Sequence, residues 1–206
     1  MAVSFAKLAF TPDVRDQQDR LGSGHYAKFL SPDRVGGSCL GADETAFIQA
    51  RDGFYQATVS ATGWPYVQFR GGAAGFLRVL DDKTIAYADL RGNRQYISLG
   101  NLSGNDRISL ILMDYPNARR LKIWGRAKML EPIPADWADQ SAEGIAAKAE
   151  RLVVIHVEAF DWNCPQHIPR RFTDSEALRK VEELEAEAAE LRAALMLAHV
   201  TPTRPT

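Results

Sequence analysis

Two short stretches of this chain combine arginine with glycine in the way a phosphate site needs. The first is Arg70-Gly71-Gly72 with Gly75; the second is Asp89-Leu90-Arg91-Gly92-Asn93-Arg94-Gln95. An arginine at a strand end offers a planar fork of N–H donors that suits a phosphoryl group, and neighbouring glycines let the backbone come close to a ligand. The second stretch leads from a strand into a helix expected over 92–102. Free N–H groups at that helix start favour an anion, and Asn93 and Arg94 add side-chain donors. Each stretch also has a plainer reading: a glycine bulge beside a solvated arginine, and a helix cap with a surface arginine. Lying one hairpin apart, the two together favour a shared phosphate.

Two further groups carry polar chemistry. Arg120, Lys122, Trp124 and Arg126 alternate with Leu121 and Ile123 along a strand expected over 120–130, so one face is polar. That face either lines a ligand site or is solvated, and periodicity leaves both open. The run Asp161-Trp162-Asn163-Cys164-Pro165-Gln166-His167-Ile168-Pro169-Arg170-Arg171-Phe172 reads as a loop rich in ligand-binding types. Cys164 and His167 make Cys-x-x-His. A zinc site takes about four ligands, and no second pair with suitable spacing is present, so no metal is assigned. No catalytic residue is assigned either; His167 is the candidate for substrate contact. His156 lies in an apolar strand and reads as a core histidine.

These residues must be positioned by strands. Segments with strand character lie at 54–60, 66–70, 76–80, 84–88, 107–113, 120–130 and 152–160, separated by turns such as Thr62-Gly63-Trp64-Pro65 and Asp81-Asp82-Lys83. Six or seven strands on short links leave no room for a helix after each, which favours a closed or nearly closed barrel over a parallel sheet. Ahead of them, 1–53 reads as a helical extension, with Thr11 capping a helix that has Pro12 at its first position and Asp43-Glu44 opening another. A surface helix is expected over 135–150. From Thr173 the pattern changes: Thr173-Asp174-Ser175-Glu176 fits a capping box, and Val181, Leu184, Ala188, Leu191 and Leu195 recur at heptad spacing. That seam belongs to a helix packed on its own barrel or paired with a second subunit. The domains are therefore 1–53, 54–172 and 173–206.

Composition excludes several classes. Lys and Arg number 25 against 26 Asp and Glu, for a net charge of −1, so no basic excess points to nucleic acid. The apolar runs are too short for a bilayer, and no secretory signal is visible at Met1. Cys39 and Cys164 make no disulfide framework, so a reduced cytoplasmic protein is expected.

Taken in order, Gln68-Phe69-Arg70-Gly71-Gly72, Gly75-Phe76, Asp89-x-x-Gly92-Asn93-Arg94-Gln95, Asn101-Leu102, 107–113 and Leu121-Lys122-Ile123-Trp124-Gly125-Arg126 resemble the split-barrel flavoproteins related to pyridoxamine 5'-phosphate oxidase. The resemblance spans roughly 54–172. It implies a mainly β fold with flanking helices, a six-stranded split β-barrel and a C-terminal helix. It also implies a homodimer with FMN at the subunit interface, a flavin-dependent oxidoreductase acting with a small-molecule substrate or reductant. Through it Gln68, Phe69, Arg70 and Gly71 fall at the phosphate-contacting strand, and Tyr87 and Ala88 beside the flavin. Asn93 and Arg94 stand where the family has an Arg-Lys clamp, and Arg120 where it places a glutamine near the flavin ring. Trp162 and Arg170 correspond to a tryptophan and arginine reaching across from the other subunit. The segment Asn163-Cys164-Pro165-Gln166-His167-Ile168 departs from the family's pyridoxal-binding pattern. The same fold without turnover would be a flavin carrier or sensor, and a haem or deazaflavin is the alternative occupant.

Overall fold

A computed structural model describes residues 1–134, 137, 149–162 and 165–200. Seven strands form one antiparallel sheet: β1 (Gly53–Val59), β2 (Pro65–Gly71), β3 (Arg78–Val79), β4 (Thr84–Leu90), β5 (Arg107–Asp114), β6 (Arg119–Leu130) and β7 (Ala149–Trp162). Their order is β2-β1-β5-β6-β7-β4-β3. The aromatic and β-branched content of these segments, and the turns that bound them, place them as read.

The sheet is strongly curled, and side chains prove it. In a flat sheet β1 and β4, four strand steps apart, would lie roughly 19 Å from each other. Yet the rings of Phe54 on β1 and Tyr87 on β4 are 5.2 Å apart, edge to face. The Tyr87 hydroxyl donates to Gln56 Oε1 on β1 at 2.6 Å. Arg70 on β2 reaches Asp89 on β4 at 2.9 Å. The two ends of the sheet therefore face each other, and side chains close the gap. Among the described residues no ladder joins β2 to β3 or β4, so the sheet stays open there.

Inside the curl lies one apolar core, including Phe54, Leu77, Ile85, Leu110, Leu112, Leu121, Ile123 and Ile155. Burial of Tyr87 pushes its phenol well above the ordinary value, so it stays a neutral donor. Tyr87→Phe should therefore destabilise by about 1–3 kcal/mol, because it strips the partner from a buried amide oxygen whose Nε2 already has none. An unchanged urea midpoint would contradict that reading.

Helices cover the outside. In α1 (Val3–Ala9), Val3, Phe5 and Ala6 are buried, with the Phe5 ring 4.5 Å from that of Trp124 on β6. In α2 (Pro12–Arg20) the Thr11 hydroxyl caps the helix as expected. The third, α3 (Ala42–Gln49), carries Asp43 and Glu44 in its first turn and sends Phe47 and Ile48 into the core. Between β4 and β5 lies α4 (Ile97–Gly104), and α5 (Asp174–Val200) follows β7. The expected capping box starts α5: Thr173 N–H donates to Glu176 Oε2 at 2.8 Å, and Glu176 N–H to Thr173 Oγ1 at 3.3 Å. No helix among the described residues is long and apolar enough to cross a membrane.

Several expectations need correction. The sheet has seven strands rather than six, because the segment at 76–80 contributes a separate two-residue strand. The helix expected from Gly92 begins only at Ile97: Arg94 and Tyr96 sit at φ 59° and 52°, a left-handed backbone that no helix continues through. The helix expected over 135–150 lies largely outside the described residues, and Ala149 and Glu150 open β7 instead. His156 is exposed, not a core residue, since alternation along β7 sends Ile155 and Val157 inward.

Candidate phosphate site at the split of the barrel

The gap between the two ends of the sheet holds a polar cavity of about 50 Å³. Alternation along β2 turns Tyr66, Gln68 and Arg70 into it, while Val67 and Phe69 face outward. Asp89 enters from β4, and Glu150 and Arg151 from the start of β7. The loop 92–96 and the first turn of α4, Ile97 to Leu99, close it. The helix is tied down by Ser98 Oγ, which donates to Gln68 Oε1 at 3.0 Å, and by Asn101 Nδ2, which donates to Thr58 Oγ1 at 3.0 Å.

Asp89 organises the charges. It accepts from Arg70 Nη2 at 2.9 Å and from Arg151 Nη1 at 2.8 Å. Arg151 also pairs with Glu150 at 3.2 Å. Burial by itself would lower the Arg151 pKa, but the hydrogen bond and charge of Asp89 outweigh it and shift the group upward, so it stays a cation. Glu150 in turn meets Arg91 at 3.1 Å and accepts from the Tyr96 hydroxyl at 3.3 Å. The lining thus holds Arg70, Arg94 and Arg151 against Asp89 and Glu150, an excess of one positive charge.

Two features leave donors for an anion. The buried Nε of Arg70 has no hydrogen-bond partner. Tyr96, the residue before α4, gives the helix no side-chain cap, so its first N–H groups keep the helix-start preference for negative charge. Non-glycine residues at positive φ cluster at functional sites, and Arg94 and Tyr96 are two such residues on one loop. Asn93 shapes that loop by accepting from Gln95 N–H at 3.2 Å. An uncapped helix start, the orphaned Nε–H groups of Arg70 and Arg151 and a net positive lining can hold a tetrahedral oxyanion.

Of the residues singled out in the sequence, Gln68, Arg70, Asn93 and Arg94 come together here. The others do not join them within one protomer. Phe69 lies on the opposite face of β2, its ring 5.3 Å from that of Tyr55, against a second cleft of about 650 Å³. Gly71 ends β2 opposite Gly53. Tyr87 is in the core, and Ala88 alternates away from Tyr87 and Asp89. Arg120 pairs with Met113 on β5, its Nε buried without a partner. Trp162 is eleven residues beyond Arg151 on β7, roughly 36 Å of strand. There it donates to Glu44 Oε1 at 2.7 Å, and Arg119 lies 4.7 Å over its ring. His167 and Arg170 are exposed, His167 at φ 66°. Cys164 lies outside the described residues, and with it the Cys-x-x-His pair.

Sequence reasoning missed Arg151, Glu150 and Ser98. Arg151 had a signal: it directly precedes the apolar run Leu152-Val153-Val154-Ile155, and a cation at the mouth of a buried strand needs a partner. Beginning that strand at Leu152 hid it.

A family model described as pyridoxamine 5'-phosphate oxidase matches residues 42–164. No protein of curated function matches. Among solved structures, HupZ of Group A Streptococcus is 20% identical, with 65% of this chain and 99% of that chain covered and a TM-score of 0.47. HutZ, the heme storage protein from Vibrio cholerae, is 19% identical over 60% of this chain and 94% of that chain, with a TM-score of 0.44. An FMN-binding protein from Syntrophomonas wolfei is 13% identical over 58% of this chain and 83% of that chain, also with a TM-score of 0.44.

Proposed function

This chain belongs to the pyridoxamine 5'-phosphate oxidase family, and from that premise we propose that it binds FMN and acts as a flavin-dependent oxidoreductase on a small molecule other than a B6 vitamer. The observation that carries the reading is the uncapped start of α4 opening on a cavity that also holds Arg70, Arg94 and Arg151. The residues fit a phosphate monoester. At about 50 Å³, against the ~10–15 Å³ that one water needs, the cavity has room for a group of phosphate size. In this reading it takes the phosphate end of the cofactor, and the ring lies outside it against a second protomer. The exposed apolar face of β1 and β2, with Tyr55, Val59, Val67 and Phe69, supports such a homodimer.

Each side chain then has a part. Arg94 and Asn93 approach the phosphate from the loop, and the Arg70 Nε donates from the strand. Asp89 holds Arg70 and Arg151 in place and keeps the site from repelling itself when empty. Gln68 and Ser98 fix the helix start against β2. Bound FMN would supply hydride or electron transfer. Asn93 in place of a clamp arginine removes one cation from the phosphate, and Arg151 is the compensating charge.

Arg70→Ala combined with Arg94→Ala should weaken FMN binding by roughly 10²- to 10⁴-fold, two charge-assisted hydrogen bonds at about 1.5–3 kcal/mol each. Quenching of flavin fluorescence measures this, with circular dichroism to confirm the fold. Equal affinity in variant and parent would end the proposal. Bleaching of bound flavin by a reduced nicotinamide cofactor, with recovery in air, separates turnover from a carrier or sensor.

A further inference from the structure

The helix α5 runs 27 residues, and its apolar stripe is largely uncovered: Val181, Leu184 and Leu191 are 50%, 51% and 60% exposed. Written as a heptad, Val181 and Ala188 take the a positions and Leu184 and Leu191 the d positions. A β-branched residue at a with leucine at d favours two strands. The positions that flank the seam are charged, and their signs are informative. Lys180 and Glu187 fall at g; Glu185 and Arg192 fall at e.

In a parallel, in-register pair each g residue faces the e residue five positions on in the other helix. That sets Lys180 opposite Glu185 and Glu187 opposite Arg192. Both pairs are of opposite sign, and two-fold symmetry makes each of them twice. Reversing one helix so that Leu184 packs beside Ala188 sets Glu185 against Glu185 and Glu187 against Glu187, which repels. The outward positions, Glu182, Glu183, Ala186, Ala189 and Glu190, are strong helix formers without bulk.

We propose that α5 pairs with α5 of a second copy of this chain as a parallel two-stranded coiled coil, with Lys180–Glu185 and Glu187–Arg192 contacts setting direction and register. The pairing stands apart from the flavin reading: it uses no residue of the cavity, and failure of either leaves the other intact. It also places a molecular two-fold axis along the paired helices.

The test uses the full chain with Cys39→Ser and Cys164→Ser, without added flavin, and reads disulfide formation between copies. Leu191→Cys should cross-link about tenfold more than Glu190→Cys, because only the d position meets its own counterpart across a parallel seam. Equal yields at the two positions would overturn the pairing. So would preferential cross-linking of a Val181→Cys and Leu191→Cys mixture over either variant alone, which marks an antiparallel pair. Lys180→Glu with Arg192→Glu turns four attractions into repulsions and should cut the yield by roughly tenfold at low salt. Adding Glu185→Lys and Glu187→Lys restores opposite signs and should restore the yield. A loss that this compensating variant does not rescue, at equal helicity, would refute the charge register.

Discussion

Asp89→Ala should cost this protein about 3–5 kcal/mol, among the largest losses any single side chain can cause here. Asp89 stands between two guanidinium groups, 2.9 Å from Arg70 and 2.8 Å from Arg151, and the Asp89 and Arg151 side chains retain only 10% and 7% of their exposure. Removing the carboxylate leaves two cations facing each other with little water to screen them. The damage also reaches the architecture, since Arg70 belongs to β2 and Arg151 to β7, and Asp89 is what draws β2 toward β4. Urea denaturation gives the loss directly. A second effect separates this account from simple loss of packing. With Asp89 gone the cavity is more positive, so inorganic phosphate should raise the melting temperature of the variant more than that of the parent. Equal phosphate effects on the two proteins would refute the charge argument even if the stability loss were seen.

Gly125→Ala should destabilise to at least the top of the overpacking range, about 3 kcal/mol, and lower the soluble yield. Gly125 is buried at the point where the β6–β7 register shifts. A Cβ built there would lie 2.4 Å from the His156 carbonyl oxygen and 2.8 Å from Ile155 Cγ2. The side-chain contact can be relieved by repacking. The carbonyl belongs to the longest strand of the sheet and cannot move without breaking its ladder. Ile155→Ala should therefore fail to rescue Gly125→Ala. A double variant as stable as Ile155→Ala alone would show that the backbone contact is soft.

Strands such as β1, β2, β5 and β6 were legible because each keeps a two-residue period. Leu121, Ile123 and Ala127 on β6 are buried where alternation puts them, and Phe54 and Leu110 mark strands whose inward faces need no tertiary information. The curl was not legible, because it depends on contacts such as Tyr87 to Gln56 between residues far apart in the chain. The site divided along the same line. Arg70 and Arg94 could be paired from local chemistry. Arg151 carried a sign that it needs a partner but not which one, since Asp89 lies 62 positions away. Phe69 shows the limit of carrying a motif over as a block: its neighbours on both sides turn into the cavity, and the pleat sends it to the other face. The helix start was placed five residues early because Gly92-Asn93 marks a turn, and two left-handed residues then delay the first helical bond.

The order of the sheet sets a timetable for biosynthesis. β4 is made early, but its ladder partners are the two-residue β3 and the late β7, with Thr84 pairing to His156, 72 positions downstream. A nascent chain on the ribosome therefore carries β4 with one whole edge unmatched until the segment 149–162 has left the exit tunnel. β6 waits for the same partner. Nucleation among β1, β2 and β5 can precede this, but sealing of the barrel waits for β7.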